Sequence, residues 1–594
     1  MATKFSRTKP SRARLLGALT SLIAVLAAVT FASAFGRADL WGLAPGLGLP
    51  ARWSIALPAV ALAITYLVDR GAAGRFPGVV LSVALVVLAW LVRDTLHLDG
   101  DGRLWLGFAA AGQLHSVSAP AIDRLILALV RGGGRIGLSA EAAFALTSVL
   151  AGGVYLGLVT LVRGELVEKR NARVFAFALL GPPILLFFGW IEIYAWVWVT
   201  GLAYLTLLLR GGGTGEKGGT SAVRAIREWI GPALGVFLPL VHPTLVVLLP
   251  AALVAFPRRR GLTLAAGLAI PLAIAARMVV FGAGAWDPTA QPVDVEHVAY
   301  ARGSVRHLAD SLQALLLCVP AAVILPWVAP KFDRAGRILA VATGCAVAGF
   351  LFVTPELGYA RDWDLMSLPA LAPSLWTARE VSRLSGGPRL APRVAAAAVG
   401  LTVACSSVWI AAHHGVAASL ARADLVAREP AGNSAFARSH LRDDLSQVLE
   451  ERGRLGEART QAEHAAALLP DSARLRYRVG HLAFAARDLS KAEGELGRAI
   501  VLDPGLFDAQ YLLGIVRMEL GASLAAILPL ENAARLHPED ARVRASLAAA
   551  LARSGRVDDA RAQMTLIAHG AHPSREAALD YVARVIAEVE NREP

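Results

Sequence analysis

Cysteine is almost absent from this chain: Cys318, Cys345 and Cys405 are the only three in 594 residues, and all fall in apolar runs. None has metal-ligand spacing, so no disulfide framework or thiolate metal site is implied, and such thiols read as inert core filler. Charge is sparse as well. Only 18% of residues are charged against 55% hydrophobic, which excludes one ordinary soluble domain. Acids are nearly missing from the apolar runs, and the runs show no internal duplication; both absences argue against a transporter. The glycine-rich stretch 211–219 lacks the lysine-serine pair and preceding strand of a phosphate-cradling loop, and reads as a flexible linker.

The basic excess is confined to the apolar part. Residues 1–420 carry 36 Lys+Arg against 21 Asp+Glu, whereas residues 421–594 carry 23 against 25. Positive charge clustered in short loops between apolar runs is topology information, so nucleic acid is discounted as a partner. A basic tail (1–14) precedes an apolar run from Leu15 to Phe35. Ala32-Ser33-Ala34 is a candidate cleavage site, but the run exceeds a usual signal core, and an uncleaved first span is expected.

Further runs lie near 54–68, 77–93, 141–162, 173–190, 193–209, 229–256, 262–282, 308–329, 335–353, 366–378 and 392–413. The loops between them alternate between basic and acid- or histidine-rich. His242-Pro243 interrupts 229–256, which reads as two short helices meeting at one face. These features predict 12–13 membrane segments over 15–413, a cytoplasmic N-terminus and an external C-terminal part, as in a multi-pass protein of a bacterial inner or plasma membrane. The bilayer is the first expected partner.

Residues 414–436 read as a linker. Beyond it, Pro470, Pro504 and Pro538 recur every 34 residues, the period of tetratricopeptide (TPR) repeats. Gly480 and Gly514 on the first helix, Ala492, Ala526 and Ala560 on the second, and Gly453, Gly521 and Gly555 at the turn support about four units plus a closing helix within 437–594. Arg487 stands where one turn glycine is expected. The concave side would carry Tyr477, His481, Phe484, Asp508 and Tyr511, which suit protein or peptide binding or pack against the next unit. The expected fold is all-α: a transmembrane helix bundle followed by a TPR solenoid.

Candidate chemistry lies in the acid-bearing loops. Asp99-Gly100-Asp101-Gly102 is a turn, a calcium loop lacking the other EF-hand ligands, or the seat of a general base. Glu192 sits between two apolar runs beside Tyr194, where a carboxylate needs water, a metal or an arginine. His242 is a structural residue or lines a cavity. Glu356, Arg361, Asp362 and Asp364 form an internally paired loop, or Arg361 grips a phosphate.

Numerous spans, acids on one face and an acidic first external loop resemble membrane glycosyltransferases of the GT-C fold. The whole plan resembles transmembrane and TPR-containing O-mannosyltransferases, and bacterial O-oligosaccharyltransferases with similar repeats. Asp-Gly-Asp stands here where many members have adjacent acids. The resemblance implies a polyprenyl-phosphate-linked sugar donor, transfer to a protein or envelope glycan, and Asp101, or Asp99 beside it, as base. A divalent cation, Mg or Mn, held by Glu192 or Glu356 would be the one cofactor. The competing expectation is a non-enzymatic membrane-anchored scaffold whose repeats assemble an envelope complex.

Overall fold

The structure is a computed structural model that describes residues 10–59, 87–113, 120–210, 229–269, 303–328, 330–351, 355, 359–387, 390–428 and 433–591. Glu356 lies outside the described residues, as do parts of the expected runs 54–68, 77–93 and 262–282. The described residues are all-α, with no strand among them. The chain divides into two compact units, Met1–Ala437 and Arg438–Pro594.

In the first unit, three helices are long and apolar enough to cross a membrane: Arg12–Ala34, Ala140–Leu166 and Ala391–His414. At 1.5 Å per residue each is about 35–40 Å long, enough for a hydrocarbon core of about 30 Å. Their outward residues include Ile23, Phe31, Leu150 and Leu161, all exposed, as suits a helix facing lipid. Three such helices are consistent with a membrane protein.

Among the other expected runs, 193–209 and 335–353 are single helices, Tyr194–Arg210 and Arg334–Phe350, whereas three are broken. Run 173–190 breaks into Ala172–Ala178 and a 3-10 turn at Pro182–Phe187, and run 308–329 into Val305–Cys318 and a turn at Pro320–Ile324. Proline stops each one, because it lacks the N–H that continues the ladder. His242 is likewise an extended residue between the short helix Leu238–Val241 and the turn Pro243–Leu248. Apolar length alone does not count helices where prolines punctuate a run, and the break at His242-Pro243 is the one its sequence led us to expect.

Part of the stretch read as a linker is helical. Residues Val416–Arg428 form a helix belonging to the membrane unit, with Arg422 fully buried. A bonded partner holds that arginine, as described below.

The helical run Trp363–Ser385 carries unlike charges at its two ends. Asp364 begins it. About 22 Å further along, at 1.5 Å per residue, Arg379 binds both Asp333 oxygens at 2.7 Å, and Glu380 pairs with Arg379 and Arg383. Arg334 donates to the carbonyls of Leu208, Leu209 and Ala255, closing two helix C-termini. The acid-rich site and this basic knot thus sit at opposite ends of one helical run.

The second unit is a stack of helix pairs: Ala435–Glu451 with Leu455–Leu468, Ala473–Ala485 with Leu489–Leu502, Phe507–Glu519 with Ser523–Leu536, and Ala541–Arg553 with Val557–His569, closed by Arg575–Glu590. A Cβ on Gly480 would lie 2.7 Å from Leu496 Cγ, and one on Gly514 would overlap Leu530. The paired helices approach so closely that only glycine fits. Gly453, Gly521 and Gly555 turn with φ between 71° and 83°, and Arg487 adopts the same left-handed conformation at φ 62°. This is a TPR-like helical region.

Candidate functional site

The site is built on the turn 94–101. The Asp94 carboxylate accepts from the N–H groups of Leu96 (2.9 Å) and His97 (3.1 Å), a local ring that lets the chain leave one helix sharply. His97 follows with φ 52°, held between Asp94 (3.8 Å) and Glu141 (3.7 Å). Gly100 turns the chain again at φ 63°, and a Cβ there would overlap Glu192 Oε1. Gly100 N–H donates to the Arg361 carbonyl (2.9 Å), while Arg361 Nη2 donates back to the Gly100 carbonyl (3.0 Å). Two segments some 260 residues apart are thereby stitched together.

Asp101 ends the turn and starts the helix Gly102–Ala110. Its N–H donates to Glu192 Oε1 at 2.7 Å, and its side chain, half-buried, makes no cap bond to the helix it begins. That carboxylate is left for other work.

Behind Asp101 lie Glu192 and Asp364, 3% and 1% exposed and hydrogen-bonded to one another. Burial, then the nearby charges of Asp364 and Asp101, push Glu192 well above the usual carboxylate range; burial raises Asp364 to about 6. Two carboxyls in contact away from water cannot both ionise, so the pair keeps a proton between them. Trp190 Nε1 (2.8 Å) and the Leu365 N–H (2.8 Å) donate to Asp364 and fix its orientation. Tyr194 lies within electrostatic reach of Glu192, Asp364, Asp362 and Asp101, and its ring meets that of His242 edge to face at 5.7 Å. His242 Nδ1 is bonded to Thr244 Oγ1 at 2.7 Å. Asp362 is buried and its carbonyl accepts from Met366 N at 3.1 Å.

Asp99 has a different place from Asp101. It is buried, and its Oδ2 meets His413 Nε2 at 2.7 Å and Arg422 Nε at 3.2 Å. Burial alone would raise this carboxyl, but Arg422 and His413 outweigh it and hold it below the ordinary range. A carboxylate so committed is a poor proton acceptor for an incoming substrate. Arg422 also donates to the Ala360 carbonyl (3.0 Å) and lies over the Trp409 ring at 4.6 Å. The His413 ring sits among Trp409 (4.3 Å), Trp190 (6.0 Å) and Trp363 (6.4 Å).

The structure thus brings Asp101, Glu192, Asp364, Arg361, Asp362, Tyr194 and His242 into one neighbourhood. Sequence reasoning passed over His413 and Arg422: His413 closes an apolar run, and Arg422 fell in the stretch read as a linker. Gly100 was legible only as a turn former. Arg306 and His307 serve local structure: Arg306 binds Asp310 (2.9 Å) and His307 Nδ1 accepts the Gly303 N–H (3.0 Å).

Among the described residues, which leave out Glu356, no group of three or more His, Cys, Asp or Glu is arranged to hold a metal ion. Glu192 spends one oxygen on the Asp101 N–H and shares a hydrogen bond with Asp364. In the repeat unit, Tyr477 and Phe484 pack partly against the core of their own hairpins and Tyr511 against the next. His481 lies 3.5 Å from Glu450, and Asp508 is exposed.

No protein-family model matches the chain, and no curated protein does. Among solved structures, one described as "YrrB: a TPR protein with an unusual peptide-binding site" is 23% identical over 26% of this chain and 78% of its own, with a TM-score of 0.24. Two structures of MamA are 21% and 19% identical, covering 26% and 30% of this chain and 81% and 85% of theirs, with TM-scores of 0.21 and 0.22. These likenesses reach over less than a third of the chain. The repeat assignment itself rests on the chain's own helix pairs, turn conformations and 34-residue period.

Proposed function

We propose that the membrane unit is a glycosyltransferase of the GT-C kind, which moves a sugar from a polyprenyl-phosphate-linked donor to a protein or envelope-glycan acceptor at the outer face of the membrane. The observation that carries the reading is the half-buried, uncapped Asp101 carboxylate poised beside a buried, proton-sharing acid pair. Such a pair beside a carboxylate left for substrate marks a reaction site more readily than a structural ion knot.

In the reaction, Asp101 takes the acceptor hydroxyl proton as the oxygen attacks the sugar carbon. The bond from that carbon to phosphate oxygen breaks, and the polyprenyl phosphate leaves with the electron pair. Arg361, beneath Gly100, supplies positive field to the leaving phosphate. Tyr194, His242 and Asp362 border the space where the sugar would lie. Glu192 and Asp364 hold Asp101 in place through its N–H, and no step is routed through a metal.

The test is transfer from a lipid-linked sugar in membranes bearing Asp101→Asn. The expected loss is about 10²–10⁴-fold, the usual worth of a general base. Undiminished transfer removes the assignment.

A second reading is favoured by the regular repeat unit: a membrane-anchored TPR scaffold that gathers an envelope protein complex. It makes the acids dispensable and locates the partner contact at Tyr477, His481, Phe484, Asp508 and Tyr511. Retained capture of a co-purifying partner by the Tyr477→Ala/Tyr511→Ala double variant counts against that surface.

A further inference from the structure

We infer that His413 is the positioning residue of this site: its imidazole locks Asp99 and so sets the turn that carries Asp101 onto the Glu192–Asp364 pair. The inference builds on the reading of that cluster as a reaction site. It starts from hydrogen-bond chemistry. His413 Nδ1 lies 2.8 Å from the Trp409 carbonyl, which can only accept. Its Nε2 lies 2.7 Å from Asp99 Oδ2, a carboxylate also gripped by Arg422 and so acceptor-only. Both ring nitrogens therefore face acceptors, and the ring bridges the Trp409 carbonyl to the Asp99 carboxylate.

The surroundings pin that ring. The ring centroids of Trp409 and Trp190 lie 4.3 and 6.0 Å from its own, in tilted and edge-on packing. The charged groups packed around it are Asp99 from the turn, Arg422 from the helix Val416–Arg428, and Asp94, which lines the same small cavity with Leu98 and Ser419. Trp190 stands between His413 and the acid pair and donates to Asp364. One tryptophan thus touches both clusters.

The mechanical consequence follows from chain connectivity. Asp99 and Asp101 flank Gly100, whose backbone passes so near Glu192 that no side chain fits. If Asp99 is released, Gly100 shifts, the Asp101 N–H leaves Glu192, and water reaches the acid pair. His413, Arg422 and Ala360 anchor one side of the turn; Arg361 and Glu192 anchor the other. His413 acts through Asp99 and touches no substrate.

The test uses the full-length chain in native membranes and a hydrophobic carbodiimide, which modifies protonated carboxyls in apolar surroundings. Labelling of the peptides bearing Glu192 and Asp364 is followed by mass spectrometry across pH. In the unmodified chain the pair should label well above the ordinary carboxylate range. His413→Phe, a ring without donors, should lower the pH of half-labelling by about one unit as the pair hydrates. His413→Gln, whose amide replaces the Nε2 donor, should keep the profile within about 0.3 unit. Ile338→Val, a truncation of a buried side chain elsewhere, should lower thermal stability and leave the profile unmoved.

Should His413→Phe fail to accumulate, Asp99→Asn is expected to give the same downward shift. A profile in His413→Phe or Asp99→Asn that superposes on the unmodified one overturns the inference, as does absence of labelling in the unmodified chain. Expected labelling shifts in a chain that transfers no sugar overturn the glycosyltransferase reading alone. Where transfer is seen, His413→Phe should lose kcat with KM nearly unchanged.

Discussion

The two units handle buried polarity in opposite ways. In the repeat unit nearly every close approach is made by glycine or alanine: Gly480 against Leu496, Gly514 against Leu530, with Ala492 and Ala526 fully buried. Most of its charges stay at the surface in pairs such as Arg517–Glu493 and Arg454–Glu457, with Arg442 and the Arg474-paired Asp443 as buried exceptions. In the membrane unit the charges go inside. Asp99, Glu192, Arg361, Asp364 and Arg422 are all buried, and each has named partners. A buried charge is costly unless paired, so it is kept where some function needs it. The repeat unit is regular because nothing interrupts its packing; the membrane unit is irregular around its polar centre.

The sharpest way to break that contrast is Gly100→Ala. The added methyl would overlap Glu192 Oε1 at a backbone with φ 63°, so steric and conformational penalties combine. We expect at least about 3 kcal/mol of destabilisation and loss of the Asp101–Glu192 bond. Thermal unfolding in detergent checks it, and an unfolding temperature equal to that of the unmodified chain contradicts the geometry. Gly514→Ala tests the same principle in the repeat unit, where the obstacle is the apolar Leu530. A cost of about 1–3 kcal/mol is expected there, measurable by denaturant unfolding.

The acid pair and Asp99 give the membrane unit two pH signatures of opposite sign. Glu192 and Asp364 keep a proton in the folded chain that the unfolded chain gives up at about pH 4. Their stabilising share is complete below that, and is lost as pH rises through about 6 for Asp364 and higher for Glu192. Asp99 is held low, so its share is present above the ordinary value and lost as pH falls through the depressed one. Glu192→Gln supplies a permanently neutral partner. It should flatten the alkaline-side loss over roughly pH 5–8 and leave the acid side intact. An unchanged alkaline slope in thermal melts of this variant would place the proton elsewhere.

The smallest effect is expected at Arg487. The other three repeat turns have glycine in the left-handed conformation, and Arg487 adopts it at φ 62° while pairing with Glu519. Arg487→Gly should stabilise the chain by about 0.5–1 kcal/mol, the relief of backbone strain exceeding a surface ion pair. A destabilised variant would mean that the Glu519 contact outweighs the strain.

The repeat unit was readable residue by residue. Its period, its turn glycines and even the odd arginine recur in the structure where spacing put them, because each unit packs only on its neighbours. In the membrane unit the sequence carried less. It marked Asp101, Glu192, His242 and the 361–364 loop as polar residues out of place among apolar runs. It did not separate Asp99, which His413 and Arg422 hold, from Asp101, and it read residues 416–428 as linker where a helix forms. Apolar length also gave no sign of where prolines break runs 173–190 and 308–329.

Local pattern therefore determined the all-α class, the membrane character and the solenoid, since helical period, apolar length and close-packed glycines act over a few residues to a few tens. Which carboxylate is committed and which is left for chemistry was decided only by tertiary structure. Asp99 and Asp101 are two residues apart and chemically identical. Their difference comes from partners 91 to 323 positions away, and no local pattern encodes which distant side chain a buried charge will find.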